Sequence, residues 1–506
     1  TVGGYIWSYV GAFFRLNYGY KGKYLAEVSG RYDGSSKFPT NSKWGFFPSA
    51  SVAWRVSEEP WMKWSEEWLD NFKIRLSAGS MGNGNVDPYS YTSEMTVVTA
   101  SDIVLGGGLP SYTTVGSTVP VSLTWEKSTT YDLGLDLDFL NNRLSFSGDY
   151  YRRYTTDMYT PSISLPSVYG TTSPKGNNAE LRTTGWELSL TWRDSFKLGG
   201  KPFDYSIKAM VWDNRTVVTK YENATRSLGT LKGYIQNGGS PSDFYEGMEL
   251  GEMWGYTVAG LFRDQADIDS SATHDFTQAS DKVTRPGQVK IADLDHNGNI
   301  DPGAFTADDH GDLSIIGNIN PHYMFGVNLA ANWNGIGLSV FLQGVMKRDW
   351  YPSPDSGYFW GKYARPFMWV LGIHNYTDDM YSEEKNNWDT AYWPRMTTYQ
   401  SNSSYSWTKL LEIPNTRYKQ NAAYLRVKNI QVDYTFPKAL CQKIRLGGLK
   451  IYLSGENLFT FTPLHKYAPN FDPEALGYDT DFSSTAGDGY TYPVLKSVTL
   501  GVNITF

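Results

Sequence analysis

The stretch TYDLGLDLDFLNNRLSFSGDYYRRY, residues 130–154, alternates between apolar and polar side chains at nearly every second position. In its first half, Tyr131, Leu133 and Leu135 share one face of an extended chain. Asp132 and Asp136 share the opposite face, because successive side chains of a β-strand point to opposite sides. The pattern therefore predicts a strand with one apolar and one charged face.

Two asparagines at 141–142 interrupt this alternation, which then resumes in Leu144, Phe146 and Tyr150. Asparagine tolerates the left-handed backbone that tight hairpin turns require. The stretch therefore predicts a long, two-faced hairpin. The same pattern recurs at 71–79, 186–211 and 325–344.

Repetition of this pattern predicts an all-β protein with about 13 antiparallel strands. We expect the strands near 11–19, 24–33, 46–56, 71–80, 124–139, 143–154, 184–194, 203–213, 321–333, 336–347, 423–436, 449–460 and 497–506.

The predicted connections alternate between short and long. Short turns are expected at 20–23, 140–142, 194–203, 334–335 and 437–448, and long loops at 81–123, 155–183, 214–320 and 348–422. Short turns at one rim and long loops at the other are typical of outer-membrane β-barrels. A soluble β-sandwich does not explain this asymmetry and seldom carries a charged face on every strand. We therefore expect periplasmic turns and extracellular loops.

The orientation of the strand faces follows from the cost of burying charge in lipid. Facing the bilayer, Asp132 and Asp136 would each cost somewhat less than the about 2–4 kcal/mol of an Arg or Lys at the midplane. These carboxylates are therefore predicted to line a watery lumen. The aromatic share of 16 % then fits the interfacial girdles of a barrel, where Tyr and Trp keep one end wet.

Composition excludes several other classes of protein. The net charge is -7 and basic residues form no long cluster, so we expect no nucleic-acid partner. A single cysteine, Cys441, excludes a disulfide framework and a cysteine zinc site. No run of 18 apolar residues occurs, so no transmembrane helix is predicted.

The last ten residues, SVTLGVNITF, place Val498, Leu500, Val502 and Phe506 on one face. A last strand that ends in Phe506 looks like the signal read by the bacterial barrel-assembly machinery. Because single-chain bacterial barrels normally have an even strand number, the odd count predicts that further strands complete this one. We therefore expect the edge at 11–19 to pair with a segment outside these residues rather than with 497–506, since open edges are costly in lipid.

Six segments resemble the SusC/RagA type of TonB-dependent outer-membrane transporter, typical of Bacteroidetes. They are GRYDGSSKF (30–38), WGFFPSASVAWRVSEEPWM (44–62), LRVKNIQVDYTFP (425–437), SGENLFTFT (454–462), NFDPE (470–474) and YPVLKSVTLGVNITF (492–506). The resemblance implies that residues 1–506 form the C-terminal part of a 22-stranded transmembrane β-barrel with long extracellular loops. It also implies that the plug domain, the TonB box and the first strands lie outside this chain.

The function implied by the resemblance is active import of a bulky nutrient across the bacterial outer membrane, energised through TonB by way of the missing N-terminal part. A SusD-like surface lipoprotein is the expected partner, closing as a lid over loops 81–123, 214–320 and 348–422. The nutrient of such transporters is an oligosaccharide or a peptide. A siderophore-type receptor of the wider TonB-dependent group is an alternative.

The loop 348–422 is rich in aromatic residues, and aromatic faces stack well on sugar rings. This favours an oligosaccharide, although the same rings also fit a packed loop or a partner contact. The candidate substrate or lid contacts are Trp350, Tyr351, Tyr358, Trp360, Trp388 and Trp393.

The stretch KIADLDHNGNIDPG, residues 290–303, matches part of an EF-hand calcium loop. Its candidate ligands for a structural Ca²⁺ are Asp293, Asp295, Asn297, the backbone carbonyl of Asn299 and Asp301. The glutamate expected at the twelfth position is Ala304, and no amphipathic helices flank the loop, so an EF-hand regulator is not predicted. Water or one of Asp308, Asp309 and Asp312 would replace the missing carboxylate; an Asx-turn loop without metal is the alternative.

A secreted β-rich glycosidase or lectin is a remote alternative, with Asp293 and Asp295, or Asp308 and Asp309, as its carboxylate pair. Adjacent acids suit metal binding or solvation better than two carboxyls facing each other across a bond, and the loop asymmetry and Phe506 oppose this interpretation. The six histidines show no paired metal-binding spacing, and no dinucleotide or phosphate-binding fingerprint occurs. We therefore predict no enzymatic activity and no cofactor beyond a possible structural Ca²⁺.

Overall fold

The fold was analysed in a computed structural model. It describes residues 5–92, 95–100, 104, 107–115, 123–161, 175–228, 244–274, 284–352, 359, 379–395, 414–476 and 494–506.

Strands dominate the described residues, as the alternating pattern predicts. In chain order they are β1 (Tyr9–Tyr20), β2 (Tyr24–Ser35), β3 (Trp44–Arg55), β4 (Leu69–Asn83), β5 (Met95–Thr99), β6 (Ser111–Val115), β7 (Glu126–Phe139), β8 (Leu144–Pro161), β9 (Lys175–Leu198), β10 (Lys201–Lys220), β11 (Glu252–Tyr256), β12 (Val258–Leu261), β13 (Thr273–His274), β14 (Val289–Ile291), β15 (Asn299–Ile300), β16 (Leu313–Asn318), β17 (His322–Trp333), β18 (Ile336–Lys347), β19 (Asp349–Trp350), β20 (Gln420–Asn421), β21 (Tyr424–Thr435), β22 (Gly448–Phe461) and β23 (Ser497–Thr505).

Thirteen of these strands form one sheet, in the order β1-β2-β3-β4-β7-β8-β9-β10-β17-β18-β21-β22-β23. Every predicted strand corresponds to one of the thirteen, which confirms the all-β prediction and its strand count. Sequence neighbours along the sheet are antiparallel wherever their register is given, as between β7 and β8 or β22 and β23. β1 and β23 stand at the two ends of this order.

The predicted hairpin turns form for the expected local reason. Asn141 and Asn142 have φ of 61°, and Asn334 and Gly335 have φ of 49° and 89°. The backbone N–H of Asn142 also donates to Asp70 Oδ2 at 2.9 Å, which ties the β7–β8 turn to the start of β4. Left-handed residues give the turn a twist that matches the twist of its strands.

Two predicted connections are shorter than expected. The turn placed at 194–203 is only the glycine pair at 199–200, with φ of 58° and 76°, because β9 and β10 continue to Leu198 and from Lys201. Much of the loop predicted at 155–183 is strand, since β8 extends to Pro161 and β9 begins at Lys175. These strands exceed the 9–11 residues that cross a bilayer, so their ends project beyond it.

The long connections contain small elements of their own. β5 pairs with β6, β11 with β16, β12 with β14, β13 with β15 and β19 with β20. Short helices are found at Thr40–Ser42, Val56–Glu58, Pro60–Ser65, Gln265–Asp269, Lys438–Lys443 and Pro463–Lys466. No helix in the described part of the chain is long and apolar enough to cross a membrane.

The chain divides into two compact units. The first comprises Thr1–Leu188, Asn214–Ala224 and Tyr245–Glu249, and the second comprises Ser189–Asp213, Thr225–Phe244 and Leu250–Phe506. The first unit contains a buried cluster around Trp125, whose ring lies 4.7 Å from that of Phe38. The second contains a larger aromatic core around Trp393, described below.

Candidate functional sites: polar strand face, acidic loop and aromatic core

The apolar residues of β4, β7 and β8 project from one face of the sheet, here called the apolar face. On it, Leu76, Tyr131 and Leu133 are 50 %, 54 % and 50 % exposed. Exposed apolar side chains at every second position are expected where the contact is lipid rather than a protein core. The orientation predicted from the cost of burying Asp132 and Asp136 in lipid agrees with this arrangement.

The opposite face of the same strands, here called the polar face, carries a charge cluster. Arg75 Nε lies 2.8 Å from Asp136 Oδ2, and its Nη2 lies 2.9 Å from Asp149 Oδ1. Lys73 lies 3.8 Å from Asp136, and Ser147 Oγ donates to it at 2.9 Å. Asp136 and Asp149 are therefore balanced by the basic residues of β4.

A glycine that the sequence did not single out makes this cluster possible. Arg75 of β4 pairs with Gly134 of β7, which in turn pairs with Asp149 of β8. A Cβ atom at Gly134 would lie 2.5 Å from Arg75 Cζ. The absent side chain therefore lets the guanidinium lie across β7 and reach a carboxylate two strands away. The role of Gly134 becomes visible only from the register of β4, β7 and β8. In the sequence it lies inside a strand, away from the turns where a glycine is expected.

The last strand keeps the predicted phase. Val498, Leu500, Val502 and Ile504 are all exposed, and Phe506 is 95 % exposed. On the other face, the ring of Tyr452 lies so close to Gly501 that a Cβ there would be 2.2 Å from the ring. A role of Phe506 in barrel assembly stays a prediction, consistent with this outward placement.

The acidic loop, residues 293–312, brings together two of the predicted metal ligands and one of their proposed substitutes. Oxygen atoms of Asp293, Asp295 and Asp312 lie within 4.8 Å of one another. Two ligands of one Ca²⁺, each at 2.3–2.6 Å, lie at most about 5 Å apart. The spacing of this carboxylate trio therefore fits a single Ca²⁺.

Asp312 is fully buried and organises the loop. Its Oδ1 accepts from the N–H of Leu294 at 2.6 Å, and its Oδ2 accepts from the N–H of Asp301 at 2.9 Å. Burial raises the pKa of the Asp312 carboxyl, and the nearby Asp295 and Asp293 carboxylates raise it further. In the described part of the chain no Lys or Arg is ion-paired with the trio, so its negative charge is not balanced by protein.

The Asp293 carboxylate is only half satisfied. Its Oδ2 accepts from the N–H of Gly298 at 3.0 Å, whereas its buried Oδ1 has no hydrogen-bond partner among the described residues. A buried carboxylate oxygen without a donor is costly unless a cation completes it. This atom is the observation that fits Ca²⁺ best.

Two other predicted ligands, Asn297 and Asp301, are held by hydrogen bonds within the loop. Asn297 Nδ2 donates to both Asp295 and Asp301, and Asn297 Oδ1 accepts from the N–H of Asn299 at 2.6 Å. These are the Asx-type bonds of a tight loop. Of the three proposed substitutes, Asp308 is ion-paired with Arg226, and only Asp312 joins Asp293 and Asp295.

A buried histidine anchors this loop. His274 Nδ1 lies 2.9 Å from the carbonyl of Ala272, and Nε2 accepts from the N–H of Ile291 at 3.0 Å. These bonds require a neutral ring that carries its proton on Nδ1. Burial lowers the pKa of His274, in agreement with that form. Because β13 pairs with β15, the ring is fixed beside the second half of the calcium-like stretch.

Three of the predicted aromatic contacts are buried in the aromatic core of the second unit. Trp350, Tyr351 and Trp393 are 6 %, 3 % and 0 % exposed. Trp350 lies 5.0 Å from Phe471 between ring centroids, and Trp393 lies 5.6 Å from Tyr418. A ligand would reach these three rings only if this core opened.

The aromatic core holds separate loop segments together. Tyr392 stacks on Tyr467 with ring centroids 3.6 Å apart, and Asn415 Nδ2 donates to the Tyr351 hydroxyl at 2.7 Å. Arg348 donates to the carbonyls of Pro473 and Leu476 at 2.7 and 3.2 Å. The rings thus have a packing role that the composition of the loop did not distinguish from ligand contact.

The remaining predicted contacts differ in what the structure says of them. Trp388 is half-buried, so part of its ring faces solvent. Tyr358 and Trp360 lie outside the described residues. Contact with substrate or lid stays a prediction, and among the described candidates Trp388 is the one with accessible ring surface.

A second buried charge cluster went unnoticed in the sequence. Arg426, 2 % exposed, lies 2.5 Å from Asp472 and 3.2 Å from Glu474, and Lys428 lies 2.7 Å from Glu474. The motif NFDPE was quoted for its resemblance, and its two acids prove to be the partners of β21. Their separation of more than forty residues in sequence hid the pairing.

Residues 5–288 match the family model described as TonB dependent receptor-like, beta-barrel. The match covers more than half of the chain, so the chain belongs to this family of outer-membrane β-barrel receptors. The thirteen-stranded sheet with its apolar and polar faces agrees with that assignment.

The curated relatives include TonB-dependent receptor P3 of Formosa agariphila, 28 % identical over 98 % of this chain and 45 % of that protein. TonB-dependent receptor SusC of Bacteroides thetaiotaomicron is 25 % identical over 98 % of this chain and 44 % of its own length. The chain thus spans about half the length of the curated relatives it matches. Among solved structures, the RagAB peptide transporter shares the fold, with a TM-score of 0.70 and 22 % identity over 99 % of this chain and 48 % of that one.

Proposed function

We propose that this chain forms part of the wall of an active importer that moves a bulky polar nutrient across the outer membrane, energised through TonB. The observation that carries the proposal is the polar face, where carboxylates and basic residues alternate across β4, β7 and β8. Such a face is expensive in lipid and suits a hydrated passage. Membership in a receptor family also favours this function over a secreted glycosidase or lectin.

The partner we propose is a SusD-like surface lipoprotein that covers the extracellular loops. A lid would hold a captured nutrient at high effective concentration beside the lumen while the transporter waits for TonB. Support for the lid comes from the resemblance of the sequence to the SusC/RagA type and from the length of the loops. The solved relative named RagAB is described as a peptide transporter.

The nutrient we propose is an oligosaccharide, because the half-buried ring of Trp388 offers a surface on which a sugar stacks. A peptide is the second candidate, and the likeness to the RagAB peptide transporter favours it. The test measures uptake of labelled oligosaccharide mixtures and of labelled peptide mixtures by the full-length receptor, with and without TonB. The mixture that is taken up identifies the class of nutrient. TonB-independent uptake would reject the importer.

The Trp388→Ala variant tests the ring directly. We expect about a fivefold loss of ligand affinity, since truncated aromatic hot spots cost upward of about 1 kcal/mol. The matched control is Trp64→Ala, because Trp64 is an exposed ring next to a predicted periplasmic turn. Equal affinities in the two variants, together with unchanged lid association in mild detergent, would return Trp388 to a packing role.

We also propose that the trio Asp293, Asp295 and Asp312 holds a structural Ca²⁺ in an extracellular loop. The buried, unpartnered Asp293 Oδ1 supports this, together with the lack of a balancing cation in the described surroundings. With no bidentate glutamate at Ala304, we expect a dissociation constant of roughly 0.1–1 mM, as in extracellular calcium modules. In this proposal Asn297, Asn299 and Asp301 shape the loop rather than bind the ion.

Titration of the full-length receptor with Ca²⁺ alone tests this site, with calorimetry and proteolysis of the loop as readouts. We expect Asp293→Asn to weaken binding at least tenfold. The control is Asp309→Asn, which removes an exposed charge of the same loop outside the trio. Absence of heat and of protection up to about 10 mM, ten times the weakest expected constant, would leave the metal-free Asx-turn loop.

A further inference from the structure

On the apolar face, the residues paired across β3, β4, β7 and β8 become less apolar toward the long loops. Residues directly paired across four strands form a fully apolar row, Val52, Leu76, Leu133 and Tyr150. Two residues further along each strand, toward the long loops, the paired row is Ala50, Ala78, Tyr131 and Arg152. Beyond it, Ser80 Oγ and Thr129 Oγ1 are hydrogen-bonded at 2.5 Å. On β4 and β7 the outward residues therefore become polar beyond the second row.

The second row contains a depression. Ala50 and Ala78 are the smallest side chains of the face here, and they lie between the bulkier first row and Tyr131. The result is an open groove of about 710 Å³, lined within the first unit mainly by apolar atoms. Its volume lies within the about 300–1,000 Å³ of small-molecule sites.

A cation stands at the end of this groove. Arg152 also lines it and is exposed, with its guanidinium beside the side chains of Tyr150 and Tyr154. On the neighbouring strand β9, exposed Arg182 has the same alternation phase as the outward Leu188 and Leu190. An outward arginine costs about 2–4 kcal/mol at the bilayer midplane but about 0–1 kcal/mol near the interface. Arg152 therefore belongs at the headgroup level of the outer leaflet.

We propose that this groove is a binding site for an anionic, phosphate-bearing lipid of the outer leaflet. One acyl chain lies over Ala50 and Ala78 against Leu76 and Leu133, and the phosphate meets Arg152. A lipid fits this groove better than a protein does, because the groove lies where the outward residues of β4 and β7 change from apolar to polar. A phosphate fits Arg152 by charge complementarity, since the guanidinium matches phosphate oxygens in a bidentate geometry.

Two adjacent arginines of β8 provide a matched pair for the test. Arg152 lines the groove on the apolar face, whereas Arg153 pairs across the sheet with Thr130 and points to the polar face. Arg152→Gln and Arg153→Gln therefore remove the same charge from opposite sides of one strand. A third variant, Ala78→Leu, fills the groove and leaves both charges in place.

The probe is dioleoylphosphatidic acid, titrated into the purified full-length receptor in detergent and counted as bound lipid by native mass spectrometry. Dioleoylphosphatidylcholine, which has no net charge, is the comparison lipid. We expect Arg152→Gln to weaken phosphatidic acid binding about fivefold, as one basic residue does at an anionic surface. Ala78→Leu should weaken both lipids, and Arg153→Gln should match the wild type.

Folding of each variant is checked by heat-modifiable mobility of the barrel in electrophoresis. If Arg152→Gln does not fold, Ala78→Leu still carries the test. Equal binding by Arg152→Gln and Arg153→Gln, or undiminished binding by Ala78→Leu, would overturn the proposal. Because both lipids carry a phosphate, equal retention of the two by the wild type would overturn the preference for a net negative headgroup.

Discussion

The polar face of β4, β7 and β8 and the acidic loop use the same residue type in opposite ways. On the polar face, Arg75 contacts both Asp136 and Asp149 at under 3 Å. In the loop, Asp293, Asp295 and Asp312 converge with no ion-paired Lys or Arg among the described residues. The protein itself thus balances the carboxylates of the polar face, whereas it leaves the charge of the loop trio unbalanced, which is the basis for the Ca²⁺ we propose there.

The same contrast separates the two fates of aromatic residues. Rings such as Tyr131 on the strands are exposed to lipid, whereas Trp393 in the loop is fully buried. The composition shows only that aromatic residues are abundant. The fold places some of them on the membrane-facing strands and others in the core of a loop.

The largest effect is expected at the buried charge cluster of β21. Replacing Arg426 by Met should cost about 3 kcal/mol, because the half-buried Asp472 would lose its cation and Glu474 would keep only Lys428. Hydrogen exchange of residues 463–476 should rise in parallel. The control is Lys438→Met, which removes an exposed positive charge. A similar cost for the two variants in urea unfolding would mean that Arg426 has no special role.

A smaller loss of stability is expected when a side chain at position 134 blocks the path of Arg75 across β7. The Gly134→Leu side chain would displace the Arg75 guanidinium from both carboxylates, at about 1–3 kcal/mol. Gly19→Leu is the control, since a Cβ there meets nothing closer than Leu25 at 3.5 Å. Unfolding in detergent measures the difference, and equal midpoints would show that Arg75 does not need this route.

Removing one carboxylate charge should have opposite effects on stability on the polar face and in the acidic loop. Asp136→Asn should lower stability by about 1 kcal/mol, since it weakens an ion pair. Asp293→Asn should stabilise the calcium-free loop, because it relieves repulsion within the trio, and should abolish protection by Ca²⁺. Proteolysis of the loop in chelator measures its calcium-free stability, and proteolysis in Ca²⁺ measures its protection by the ion. Loss of loop stability in chelator for Asp293→Asn would contradict the unbalanced charge.

The smallest effect concerns acid. The pKa of His274 is lowered in the fold, so its contribution to stability is present above the unfolded pKa of about 6.5 and is lost as the pH falls below it. Protonation removes the acceptor of the Ile291 N–H, so the protection of this amide against hydrogen exchange, relative to its intrinsic rate, should fall at pH 5. A His274→Gln variant should lose that pH dependence. An exchange rate at Ile291 with the same pH profile in both proteins would exclude the histidine.

The sequence predicted the sheet well because strand period, turn chemistry and the cost of charge in lipid are local properties. Alternation at 130–139, the Asn141–Asn142 turn and the phase of Phe506 can each be recognised from a few neighbouring residues. The strand ends were less accurate. Nothing local distinguishes the projecting parts of β8 and β9 from loop, since outside the bilayer the two faces no longer need to differ.

The candidate sites show the same difference between local features, which the sequence predicts, and long-range contacts, which it does not. Sequence alone determined that residues 293–301 form a tight acidic loop, because Asp, Asn and Gly at that spacing favour Asx turns. Only the tertiary structure selected Asp312 over Asp308 and Asp309, and it also buried Trp350, Tyr351 and Trp393 in a core. Pairing Arg426 with Asp472, or passing Arg75 over Gly134, requires residues far apart in sequence to meet. Such contacts depend on strand register and loop packing, which no local pattern encodes.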